Sequence, residues 1–298
     1  MESHTRLHFL YIKGSTLFRS RVLYSHMTLG EQQLQSAQWL LGFDFDGTLA
    51  DVHNNHQVHH DFFEALNICR THVSLAWGIC TGRSLEFLLE GLAKANVPEY
   101  PDYIVTQERD LFYHQGNALY LPDAPRNQQA LDDLNHLMHR NAATINKVKN
   151  YVTKSTQGEW VSIPGDPAGI IATCEDEISH AVSIIEECSL RSEDLDYQRN
   201  TIYLRLSHKA YCKGTAIQYL QQRFQIRHEH SLVMGDNYND LTMLNKEVAQ
   251  HYAAPSNAIP SLVSSLQESG GLVASAPHSH GVAEIMLHLI KPPTTKAF

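Results

Sequence analysis

Short apolar runs alternate along the chain with longer stretches of helical period. Four runs, "WLLGF" (39–43), "VSLAWGIC" (73–80), "DYIVTQ" (102–107) and "SLVMG" (231–235), are rich in branched or aromatic residues and end at polar or glycine-rich turns. Continuous apolarity over such lengths fits strands covered on both faces, as in a parallel sheet. Between them lie the helix-like segments "HHDFFEALNICRTH" (59–72), "SLEFLLEGLAKAN" (84–96) and "KGTAIQYLQQRF" (213–224). Strand and helix in alternation predict a doubly wound α/β core built on a parallel sheet. From about Pro122 to Asn200 the chain turns more polar, with "GEWVSI" and "TIYLRL" as strand-like pieces around helical stretches. This middle reads as an α+β insertion. The expected organisation is an extension over 1–38, poorly ordered, then core over 39–121, insertion over 122–202 and core again over 203–298.

Composition narrows the function. With 298 residues, 43% of them hydrophobic, the chain can bury a real core. No apolar run approaches the ~20 residues that span a bilayer, and the one from Trp39 to Phe45 is interrupted by Asp44. A net charge of −9 argues against nucleic-acid binding, which needs a positive surface. The five cysteines are scattered and form no C-x-x-C pair, which points to reduced thiols and a cytoplasmic setting rather than a zinc site. Residues 5–30 carry four basic side chains and no acidic one, as a presequence for organelle import does. The plainer reading is an unstructured extension, or a start placed upstream of Met27.

Candidate chemistry collects at the strand ends. Open α/β sheets hold their ligands beyond the carboxyl ends of the strands. Here the first run ends in Asp44 and Asp46, the second in Thr81, Gly82 and Arg83, and the last in Asp236, followed by Asn239 and Asp240. Lys213 and Gly214 open a helix. A cap or a turn explains any one of these, but poorly explains all four together. Converging carboxylates need a cation, and the all-oxygen set of Asp44, Asp46 and Asp236 suits Mg2+. Thr81, Gly82, Lys213 and Asn239 then form a cradle for phosphoryl oxygens. In that reading Asp44 is the nucleophile that forms an aspartyl-phosphate. Asp46 is the general acid and base. Gly47 permits a sharp turn, while Thr48 and Asp240 tie the loops down.

The segments "DFDGTLA", "CTGR", "KG" before a helix and "GDNYND" resemble, in order, the four motifs of the haloacid dehalogenase superfamily of phosphohydrolases. The resemblance runs from about residue 39 to about 290. Asp44 and Thr81 lie 37 positions apart, too few for a cap domain, whereas Thr81 and Lys213 lie 132 apart. A cap inserted there is similar to subclass IIB, with its C2-type cap, which includes Cof-type sugar phosphatases and sucrose-phosphate phosphatase. The resemblance implies Mg2+-dependent hydrolysis of a small phosphate monoester, with sugar phosphates the leading class. The alternative is a catalytically silent relative that binds a phosphorylated metabolite; intact motif residues speak against it.

Other features fit plainer roles. "TQERDLFY" (106–113) departs from the family's usual loop, so Arg109 is a candidate second anion ligand only against the default of a solvated arginine. His53, His56, His59 and His60 cluster at a predicted helix start and read as solvated. Lys147, Lys149 and Lys154 of the insertion read as a solvated face, with one lysine as a candidate substrate contact.

Overall fold

A computed structural model describes residues 27–163, 166–189 and 192–290; the presequence and start-site readings for residues 1–26 lie outside them. The elements, in chain order, are α1 (Leu29–Ser36), β1 (Trp39–Phe43), α2 (His60–Arg70), β2 (Leu75–Cys80), α3 (Leu85–Lys94), β3 (Tyr103–Thr106), β4 (Asp110–Gly116) and β5 (Leu119–Pro122). The middle of the chain supplies α4 (Ala124–Arg140), α5 (Ala142–Ser155), β6 (Glu159–Ile163), β7 (Asp166–Ile171), α6 (Glu175–Ser189), β8 (Leu195–Asn200) and β9 (Tyr203–His208). The last stretch supplies α7 (Lys213–Phe224), β10 (Ser231–Met234), β11 (His251–Ala254), α8 (Pro260–Ser269), β12 (Leu272–Val273) and α9 (His278–Leu289).

The large sheet has eight strands in the order β12-β11-β10-β1-β2-β3-β4-β5. Pairing is parallel from β12 to β3 and antiparallel at β4 and β5. Both faces are covered. Leu41 and Phe43 enter one core with Phe62, Trp77 and Met286, whereas Leu40 enters the other with Tyr103, Ile217 and Val233. Alternate residues of one strand thus serve opposite cores, which is why the run reads as continuously apolar. The molecule is a doubly wound α/β core carrying a separate antiparallel sheet, in the order β6-β7-β9-β8. That small sheet has its own core of Leu134, Val148, Ile170, Ile178, Leu204 and Leu206.

Two boundaries differ from expectation. Residues 29–36 form a helix rather than a loose extension, fixed by a capping box between Thr28 and Glu31 and by fully buried Leu34. Gly30 lets this helix approach the sheet; a Cβ there would stand 1.9 Å from the Asp102 carbonyl oxygen. The stretch carries too few apolar positions to announce itself. At the other boundary, the small sheet runs past residue 202: β9 pairs with β8 through Tyr203–Asn200 out to His208–Leu195. The expected break at 202 falls inside this hairpin, within the run "TIYLRL" that the sequence already groups with the insertion.

Candidate active site

Register builds the centre of the site. Phe43 pairs with Met234, so the residues following adjacent strands, Asp44 and Asp236, emerge at one edge of the sheet. The Asp44 amide donates to the Met234 carbonyl at 2.9 Å, continuing the ladder one step beyond the strand. Lys213, the first residue of α7, is completely buried, and its Nζ donates to Asp44 Oδ1 and Asp240 Oδ1, both at 2.7 Å. The other oxygen of Asp240 accepts from the amides of Asp236 at 2.9 Å and Asn237 at 3.0 Å. Thr48 donates its hydroxyl to Asp236 Oδ1 at 2.8 Å. Between them Gly47 has φ +85°, and a Cβ there would stand 2.4 Å from Asp236 Oδ2, so glycine is required on both counts.

The electrostatics follow from burial. Desolvation works against the charge on Lys213, but the carboxylates of Asp240, Asp44 and Glu108 outweigh it and hold the ammonium well above its usual pKa. Burial, aided by Asp240, pushes Asp236 up to about 7 against the opposing Thr48 hydrogen bond. Asp44 is raised as well, by burial first and by its acidic neighbours, with Lys213 pulling the other way. Oxygens of Asp44, Asp236 and Asp240 lie within 4.8 Å of one another. Three crowded carboxylates and one ammonium leave a deficit of positive charge, and an all-oxygen donor set fits a hard divalent cation such as Mg2+. Both Asp240 oxygens are committed to hydrogen bonds, so Asp44 and Asp236 are the better ligands and Asp240 the residue that sets the loop.

This centre opens into a cavity of about 440 Å³ between the two sheets. Asp44, Asp46, Thr81, Gly82, Glu108 and Asn239 line it from the core. The small sheet supplies the far wall, with Gln198, Asn200, Tyr203 and Arg205 beside apolar Val161, Ile170 and Leu204. Arg205 reaches across to the Gly82 carbonyl at 3.4 Å. Thr81 is buried at the end of β2, its hydroxyl accepting from the Arg83 amide at 3.2 Å.

The expected residues therefore converge, with different partners in places. The Asp46 carboxylate lies outside the acidic cluster: Arg83 grips it with Nε at 2.6 Å and Nη2 at 2.5 Å, while the guanidinium stacks 5.1 Å from the Phe45 ring. Asp240 takes its place in the cluster. Arg109 does not line the cavity and instead pairs with Asp110 at 2.7 Å. Lys147 pairs with Glu187 at 3.2 Å, away from the cleft. Glu108 escaped the sequence reading. It is 4% exposed, has φ +59°, and accepts from Asn239 Nδ2 at 2.7 Å. Its Oε2 and the Asn239 Oδ1 are buried without a hydrogen-bond partner. Burial raises its carboxyl pKa, against the pull of Lys213 and Arg205. The available signal was the departure of "TQERD" from the family loop, and it attached to the neighbouring arginine.

Comparison with known proteins bears on this arrangement. A family model described as haloacid dehalogenase-like hydrolase matches residues 90–286, which include Lys213 and the Asp236–Asp240 loop. YxeH of Bacillus subtilis, named as a candidate phosphatase, is 25% identical over 278 residues, covering 84% of this chain and 98% of that protein. Among solved structures, the sucrose-phosphatase of Synechocystis sp. PCC6803, determined with sucrose and phosphate, superposes with a TM-score of 0.67 at 18% identity, covering 85% of this chain and 98% of that one. The subclass IIB sugar phosphatase BT4131 gives 0.57 at 17% identity, covering 84% and 98%. At these identities the structural likeness speaks for the fold.

Proposed function

The chain belongs to the haloacid dehalogenase-like hydrolases, as a phosphatase, and from that membership we propose that it hydrolyses a small phosphate monoester of the sugar-phosphate class with Mg2+. One observation carries the reading: a buried Asp44–Lys213–Asp240 chain beside Asp236 opens into a cavity whose far wall offers Gln198, Asn200 and Arg205. The first end suits a phosphoryl group and the second suits hydroxyls.

In this reading Asp44 attacks phosphorus and the ester oxygen leaves, taking a proton from Asp46. Asp46 then accepts a proton from the water that cleaves the aspartyl-phosphate, releasing inorganic phosphate and restoring Asp44. Lys213 and Thr81 stabilise the charge spread over the phosphoryl oxygens. Asp44 and Asp236 would hold the cation, which supplies further charge neutralisation to those oxygens when bound. Because Arg83 holds the Asp46 carboxylate, proton transfer requires Asp46 to exchange that partner for the substrate's oxygen.

The test is phosphate release from a panel of sugar phosphates and other monoesters, with Mg2+ and with chelator. The expected result is release that requires Mg2+ and concentrates on few sugar phosphates. Equal rates on phosphoserine, nucleotides and sugars would reject the substrate class, and equal rates in chelator would reject the metal.

A further inference from the structure

The histidines that read as a solvated helix start do not remain alone. α9 brings His280 back across the molecule to the first turn of α2, where Asp61 Oδ2 meets His280 Nδ1 at 2.8 Å. The other oxygen of Asp61 faces His59 Nδ1 at 3.2 Å and His60 Nε2 at 3.2 Å. The His59 ring lies 4.0 Å from that of His280, centre to centre. One ligand atom from each of His59, Asp61 and His280 falls within a 4.8 Å set.

We propose that His59, Asp61 and His280 form a site for a divalent transition-metal ion, zinc fitting best, at the junction of α2 and α9. A zinc ion at ~2.0–2.1 Å from each ligand of a tetrahedron needs ligand atoms about 3.4 Å apart. His280 Nδ1 and His59 Nδ1 stand 2.8 Å and 3.2 Å from different oxygens of Asp61, and one ligand atom from each residue lies within a 4.8 Å set, so a turn of the carboxylate and of the rings brings one oxygen and two nitrogens to that spacing. Each neutral imidazole brings one N–H and one lone pair, so a ring can either donate to Asp61 or turn its lone pair to a cation that the same carboxylate holds. Imidazole donors select zinc-like metals over Mg2+, which separates this site chemically from the all-oxygen cluster at Asp44. Two His and one Asp also leave a fourth position for water.

The ligands are held in place without the ion. The His59 amide donates to Ser279 Oγ at 2.9 Å, and the helices share a core through Phe62, Val282 and Met286. The residue before that serine, His278, has its Nδ1 3.0 Å from the Gly47 carbonyl oxygen. Three consecutive residues of α9 thus touch the Gly47 turn, the His59 backbone and Asp61. An ion here braces the loop that carries the active-site aspartates.

The experiment is zinc competition against a chromophoric chelator, on full-length protein stripped of metal and resupplied with saturating Mg2+. Wild type is compared with His280→Gln, Asp61→Asn, His60→Ala and Asp44→Asn. Glutamine can still hydrogen-bond Asp61, so unchanged zinc-free melting certifies its fold. One tight equivalent is expected in wild type, His60→Ala and Asp44→Asn, and binding more than about 100-fold weaker in His280→Gln and Asp61→Asn. Wild-type affinity in His280→Gln overturns the site. Loss of the tight equivalent in Asp44→Asn, or no tight equivalent in wild type, also overturns it.

Discussion

At residue scale, Lys213 decides most of what the site can do. It is the buried cation between Asp44 and Asp240, and removing one member of a buried ion pair strands the others. Lys213→Ala is expected to lose about 3–5 kcal/mol in denaturant unfolding, part of it recovered by Mg2+. Asp44→Asn takes away one of several crowded like charges. Its melting temperature should equal or exceed wild type, while phosphate release falls by more than about 1000-fold. The pH dependence has a defined sign. Asp236 has a folded pKa of about 7, above the 3.8 of an ordinary aspartate. The folded state therefore holds a proton that the unfolded chain has lost, and this contribution to stability declines as pH rises through that interval. A metal held by these oxygens would compete with that proton. Apparent Mg2+ affinity should climb by up to about tenfold per pH unit below 7 and level off above it, as titration calorimetry would read. These aspartates were legible because each closes an apolar run, a purely local signal. Glu108 was not, since its importance comes from Asn239, which lies 131 positions away.

At the scale of elements, one side chain joins the two sheets' supports. Asp123 caps α4, the first helix after β5, and is 5% exposed. It also accepts from the hydroxyls of Tyr113 and Tyr219, each at 2.9 Å, and pairs with Arg223. Arg223 in turn reaches Glu31 of α1 at 2.6 Å. Asp123→Ala removes a cap and leaves three donors to water or to nothing, so a loss of about 2–4 kcal/mol is expected in equilibrium unfolding. Asp123→Asn keeps the cap and should recover part of it. The sequence placed the helices and strands well where periodicity was strong, as in β1, α3 and α7. It missed α1, whose stability rests on a capping box and a single buried leucine, and it split the β8–β9 hairpin, since pairing partners leave no mark on either strand alone.

At the scale of the whole molecule, the cavity has two makers: the core contributes the acidic centre, and the small sheet contributes the wall that meets the rest of a ligand. Changes in that wall should alter binding more than chemistry. Arg205→Ala is expected to raise KM for the preferred monoester by about tenfold or more, with kcat within about threefold, in steady-state assays. Doubly wound topology and the site's location at the strand ends were legible. What the wall selects was not, because it depends on how two separately paired sheets face each other. The central position of β1 has a further consequence in time. Its partner β2 follows at once, but β10 and the lysine of α7 arrive late: Lys213 lies 169 residues after Asp44, and Asp236 lies 188 after Thr48. At ~5–20 residues per second, a ribosome needs roughly 10–30 s to bridge the first gap. For that interval one edge of β1 lacks its partner strand, and Asp44 lacks its lysine, although Asp46 already has Arg83. The acidic centre is therefore complete only once the chain has passed Asp240.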